Sequence, residues 1–203
     1  MNTTLTLELH IAYDSLKLPE KLILPIEEGS SGFTTYRQHQ SDPLAAEQFQ
    51  LSYAGEHAIQ IAMRLTGRIA LDRLPDLKLD GTRLVVRAGV LLNGMVLSIQ
   101  HPQFTDLDFP NVPNVADEMV RDLVNQSVTT TLKDQWRIDL TSSFENMQQS
   151  LNQPIPFEFT VARSAQSYHL ALNSAIRAPQ FNVEPDGLRI KATIEFKPHF
   201  VEI

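Results

Sequence analysis

The sequence predicts an α+β protein, with a long, strongly curved antiparallel sheet wrapped along one long helix and a short second helix. Three observations predict it. Most apolar residues recur with a period of two. One segment, about residues 114–151, switches to a helical period. The strand and helix lengths match, at roughly 30–45 Å by the standard rises. A chain of 203 residues supports one sizeable core. Residues 1–203 are therefore expected to form one domain, with the helical segment between two strand-rich halves.

The first strand is read from Leu5, Leu7, Leu9, Ile11 and Tyr13, which alternate with mostly polar neighbours and give one buried face. A short second strand is expected within residues 22–26, ended by Pro25 and the polar run after it. Residues 27–46 are rich in turn formers and read as a long loop, with a short strand near Phe33–Tyr36. The longest alternation is Ile59, Ile61, Met63, Leu65, Ile69 and Leu71. Its thirteen residues would span about 43 Å. Twist accumulates over such a length, and Gly67 is the expected place for a bend or bulge. Residues 82–92 and 95–101 form a hairpin across Asn93-Gly94, a pair that suits a type I′ turn. Tyr168–Ile176 and Leu188–Phe196 make a second pair, with Pro185-Asp186-Gly187 as its turn.

The helical period runs from Asn114, a candidate N-cap, to Gln135. Val115, Met119, Leu123, Val128 and Leu132 form its stripe, with Val120 and Val124 beside them. Twenty-two residues make a rod of about 33 Å. The Thr129-Thr130-Thr131 run is poor helix material, so burial must supply much of its stability. Trp136, the only tryptophan, is expected to anchor the helix end in the core. A second helix is expected over Ser142–Leu151. Ser142 with Glu145 suggests a capping box, Phe144, Met147 and Leu151 form its stripe, and Pro154 and Pro156 end it.

Composition narrows the function classes. Hydrophobic residues make up 42%, so disorder is not the expected overall state. The net charge of −7 gives no basic excess, and nucleic acid is not an expected partner. There is no cysteine, which removes thiolate catalysis, disulfides and cysteine-held zinc. The six histidines show no metal-ligand spacing, and no cofactor or metal is expected. Nucleophile elbows and phosphate loops are likewise lacking, so no catalytic residue is assigned. Arg64 with Arg68, and Arg83 with Arg87, sit at even spacing. They read as a solvated sheet face paired with acids rather than as a strip for anions. No stretch reaches the length of a transmembrane helix.

Strands as long as the helix can coil around it. Space left inside would be an elongated apolar groove, which suits an acyl chain because each buried CH₂ contributes about 0.8 kcal/mol. The inward faces name the expected lining: Ile59, Ile61, Met63, Leu65, Ile69, Leu71, Met119, Leu123 and Leu132.

The stretch from Val115 through DEMVRDLVNQSVTTTLKDQWRIDL to SFENMQQSLNQPIPF, followed by antiparallel strands, resembles the tubular lipid-binding (TULIP) superfamily. The likeness is to its uncharacterised bacterial members. Phe144, Leu151, Gln153, Pro154 and Ile155 match their short second helix and its Pro-Ile ending. The resemblance covers about residues 59–196. It implies non-catalytic binding or transfer of a lipid or other hydrophobic small molecule. The resembled proteins are usually exported. The first fourteen residues here alternate like a strand and lack the features of a signal peptide, so the compartment is left open. The competing expectation is a structural or protein-interaction module with a fully packed core. Its exposed edges or the 27–46 loop would meet a protein partner or a second copy.

Overall fold

The computed structural model describes residues 3–16, 18–32, 34–107, 109, 112, 114–153, 155–157 and 168–202. Phe33, Pro154 and Val115, Met147 and Leu151 as side chains lie outside the described set. Strands β1 (Thr3–Ala12), β2 (Lys21–Ile23), β3 (Gly29–Ser31), β4 (Thr34–Gln38) and β5 (Ala45–Gly55) come first. Then follow β6 (Ala58–Thr66), β7 (Arg68–Leu71), β8 (Leu77–Lys78), β9 (Arg83–Asn93) and β10 (Val96–Leu107). Helix α1 (Asn114–Gln135), β11 (Arg137–Asp139), helix α2 (Thr141–Leu151), β12 (Ile155–Phe157), β13 (Tyr168–Glu184) and β14 (Gly187–Glu202) complete the order.

Every described strand pairing is antiparallel, in three sheets. One sheet runs β1-β14-β13-β12. A curled, half-barrel sheet runs β11-β10-β9-β6-β5-β2. A small one runs β3-β4-β7-β8. With the two helices set between strand-rich halves, this is the segregated arrangement of an α+β protein. One cluster of buried residues draws on all three sheets and both helices.

The expected alternations are largely present. In β14, Leu188, Ile190, Ala192, Ile194 and Phe196 are buried while the residues between them stay half-exposed. β13 extends well past Ile176, through Pro179. The ladder slips between Arg177 and Gln180, so a proline that cannot donate sits where pairing is already interrupted. The β9–β10 hairpin also forms, but its turn differs from the expected type. Asn93 pairs with Val96, leaving Gly94 and Met95 as the loop. Only Gly94 takes positive φ, +62°. That is the pattern of a type II′ turn, with glycine at its first central position.

Two further expectations need correction. Residues 45–55 form β5, a strand missing from the sequence reading. Its ladder slips between Glu47 and Gln50, where Gln48 has φ +56°. The slip changes which residues face inward, from Ala46 to Phe49 and Leu51, and so breaks the alternation that would reveal a strand. The run from Ile59 to Leu71 is also not one strand. It breaks at Gly67, so β6 joins the curled sheet and β7 the small one. Gly67 has φ +98°, and a Cβ there would collide with the Pro43 carbonyl oxygen. Only glycine suits both conditions.

Helix α1 has the expected bounds, but its stripe is rotated. Val120, Val124, Val128 and Leu132 are its buried centre and Leu123 is buried beside them, whereas Met119 is half-buried on the margin. Trp136 is 2% exposed and closes the helix in the core. Helix α2 starts one residue early, at Thr141, and no side chain caps it from its N-cap residue Leu140. The expected Ser142–Glu145 box is replaced by Asp139, whose Oδ1 accepts the Thr141 backbone N–H at 2.8 Å. The same threonine, through its hydroxyl and its N–H, holds the Asp139 carboxyl below the ordinary range.

The Gly67 junction generates two predictions. Gly67→Ala should destabilise the fold by at least about 2 kcal/mol in urea titrations, from strained φ and steric conflict together. Gly81→Ala, with positive φ but open space around it, should cost only about 1 kcal/mol. Equal losses would count against the conflict with Pro43. The Gly67 N–H donates to Asp80 Oδ1 at 2.7 Å, and Lys78 lies 3.1 Å from the other oxygen. These contacts, the backbone one foremost, lower the Asp80 pKa. A depressed folded-state pKa contributes stability above the unfolded value, about 3.9, and loses it as pH falls through the folded value. Asp80→Asn should therefore lower the urea midpoint at pH 7. The gap to the parent should close as pH drops below about 3.9.

Candidate binding groove

Eight of the nine residues expected to line an apolar groove belong to the core cluster, and Met119 packs half-buried against it. Ile59, Ile61, Leu65 and Ile69 are 0% exposed, Met63 2% and Leu132 1%. They pack into the core cluster, and none of these six lines a described cleft. Leu71 borders a polar surface cleft beside Arg37 and His39. Met119, half-buried at the helix margin, and Leu123, buried in the core cluster, both border open space.

That space lies between α1 and the segment from Pro25 to Tyr36. Two adjoining clefts, of about 140 and 340 Å³, share Tyr36, Leu123 and Gln126. Along the helix they reach from Glu118 to Thr130, about 18 Å at the standard rise. Ile26, Tyr36, Met119 and Leu123 supply apolar surface. Ile26 is held in place because its N–H donates to Gln38 Oε1 at 2.7 Å. Tyr36 lies across from Gly29 in the β3–β4 ladder, and a Cβ at position 29 would run into its ring. The glycine therefore lets the tyrosine ring lie flat against β3, whose Ser30 and Ser31 form the wall opposite α1.

The polar part of the lining is one-sided. Glu27, Glu28, Glu118 and Asp122 are exposed carboxylates, and among the described residues no lysine or arginine lines either cleft. None of the four has an ion-pair partner among the described residues. Ser127 is 4% exposed, borders the smaller cleft, and its Oγ has no hydrogen-bond partner. Sequence reasoning noted residues 27–46 as a partner-contacting loop. It missed the acidic residues as a group, since they come from segments about ninety residues apart.

Other chemistry-bearing groups are dispersed. His10 Nε2 lies 3.3 Å from Asp186, and Glu184 stands close to both. Arg189 already occupies Glu184 at 2.7 Å, so a metal ion there would compete with a guanidinium. The nearby Tyr13 donates to the Glu184 carbonyl at 2.8 Å. Burial, followed by the charge of Asp186, pushes its pKa up to about 12, so it acts as a donor at neutral pH. His39 pairs with Asp76, while His57 and His101 are exposed. His169 and His199 as side chains lie outside the described set. Arg64, Arg83 and Arg87 share the exposed face of the curled sheet, where Arg64 stands between Glu47 and Arg83. Arg68, beyond the Gly67 break, pairs with Asp42 at 3.1 Å. Among the described residues, no helix is long and apolar enough to cross a membrane.

No protein-family model, curated protein or solved structure matches the chain.

Ser127 supplies a test of the groove wall. Removing a buried hydroxyl that lacks a partner relieves a desolvation cost, and alanine favours helix. Ser127→Ala should raise stability by up to about 1 kcal/mol in thermal or urea unfolding. A loss of stability would show that the hydroxyl is satisfied in the free protein.

Proposed function

We propose that this protein is a non-catalytic interaction module. It meets a partner along α1 and the segment from Pro25 to Tyr36, while its own side chains fill its interior. One observation carries the reading. Eight of the nine residues expected to line an acyl groove are buried in the core cluster, and the open groove meets only Met119 and Leu123 of the nine, in a half-polar acidic lining. An acyl chain gains from burial against apolar surface and gains little from carboxylates.

A second reading also has a specific observation behind it. The curled half-barrel sheet presents an apolar inner face to a 22-residue helix, and the order of elements resembles the tubular lipid-binding superfamily. In that reading the sheet wraps along the helix, and a lipid or other elongated hydrophobic ligand occupies the seam between them.

Native mass spectrometry of the purified protein separates the two. The interaction reading expects a single ligand-free mass for each chain. An added mass that organic extraction identifies as lipid would overturn it in favour of the second reading.

A further inference from the structure

The groove has a free strand edge as one wall. Among the described residues, β3 is the edge strand of the small sheet and pairs only with β4. Its outer backbone groups have no partner among the described hydrogen bonds. Ser30 and Ser31 of this strand face Met119 and Leu123 of α1 across the larger cleft. A strand edge beside a helix is a geometry that admits one more strand, because the added chain satisfies the edge by main-chain hydrogen bonds.

Charge selects what that strand would be. The rim carries Glu27, Glu28, Glu118 and Asp122, and among the described residues no cation lines it. A chain entering the groove with lysine or arginine side chains would neutralise them, whereas an acidic chain would be repelled. The second observation is independent of the carboxylates. Ser127, 4% exposed, borders the groove, and its Oγ has no hydrogen-bond partner. Six extended residues span about 20 Å, close to the length of the groove along α1, and the three residues of β3 can pair with part of such a segment.

We infer that this groove binds a basic, extended peptide segment, which adds as a strand to β3 and lies against α1. The inference rests on the interaction-module reading and names the chemistry of the partner. Apolar side chains of the peptide would alternate with basic ones, the apolar ones resting on Tyr36, Met119 and Leu123. An alkylamine shares the positive charge but offers no main-chain donors or acceptors to β3, so the free edge favours the peptide.

The test uses the full chain and a fluorescein-labelled six-residue peptide of alternating lysine and valine, read by fluorescence anisotropy at low salt. Its controls are the alternating glutamate–valine peptide, the lysine–valine peptide with alternate backbone nitrogens methylated, and dodecylamine as competitor. The lysine–valine peptide should bind and the glutamate–valine peptide should not. Methylation of the strand donors should weaken binding about tenfold. The exposed double variant Glu118→Gln with Asp122→Asn should weaken it about fivefold, with less effect as salt is raised. A fold unchanged by circular dichroism is the condition for reading that variant. Equal binding of the two peptides, no effect of methylation, or no effect of the double variant would each overturn the inference. Binding of dodecylamine without binding of the peptide would also overturn it and assign the groove to an amphiphile. If the peptide fails while the purified protein is ligand-free, the interaction reading stands without this partner. Lipid in the native spectrum sinks that reading itself.

Discussion

The structure depends on the burial of one helical stripe. Val120, Val124, Val128 and Leu132 of α1 lose nearly all contact with water against the core cluster. Helix α1 is weak by its own composition, with three consecutive threonines in its second half. Each buried valine or leucine contributes about 1.5–3 kcal/mol relative to exposure, which offsets the poor propensity. Packing also sets the rotation of the helix about its axis. Because the valines take the centre, Met119 is left at one margin and Arg121, over the Phe109 ring at 5.6 Å, on another face.

That rotation connects the core to the groove. A helix turned so that Met119 pointed inward would close the space beside β3 and Tyr36. The groove is therefore a consequence of which residues win the centre of the stripe. Its opposite wall depends on a different constraint, the break at Gly67. By ending β6 there, the chain sends β7 into a separate small sheet, and β7 in turn carries β4 and β3. Without that break no second sheet would stand beside the helix. Asp80, which accepts the Gly67 N–H, ties the turn before β9 to the same point.

The balance of polar and apolar surface then decides what kind of ligand suits the protein. The apolar residues that alternate along β6 face the core and not solvent. The surface left open is lined by carboxylates, serines and a few apolar side chains. Such a surface recognises charge and backbone, which is the chemistry of peptide segments. An enclosed apolar seam would recognise chain length and shape, which is the chemistry of lipids. The same fold serves either purpose, and the occupancy of the seam distinguishes them.

The sequence by itself determined the elements whose signals are local. Alternation marked β1, β6, β9, β10 and β14, the helical period set the bounds of α1, and Asn93-Gly94 marked a hairpin. These are legible because side-chain direction follows backbone period, residue by residue. Only the tertiary structure decided three other things. The slip at Glu47–Gln50 in β5 is stable because its neighbour β6 accepts it, so no local alternation reports it. The division of residues 59–71 between two sheets follows from the close approach of Pro43 to Gly67, two positions that are distant in sequence. The groove sets Glu27 and Glu28 in one cleft and Glu118 and Asp122 in the adjoining one, and such an arrangement depends on how the chain returns on itself. The long strands and the inserted helix thus follow from local periodicity, whereas the filled inner face and the open acidic groove follow from packing between segments far apart in the chain.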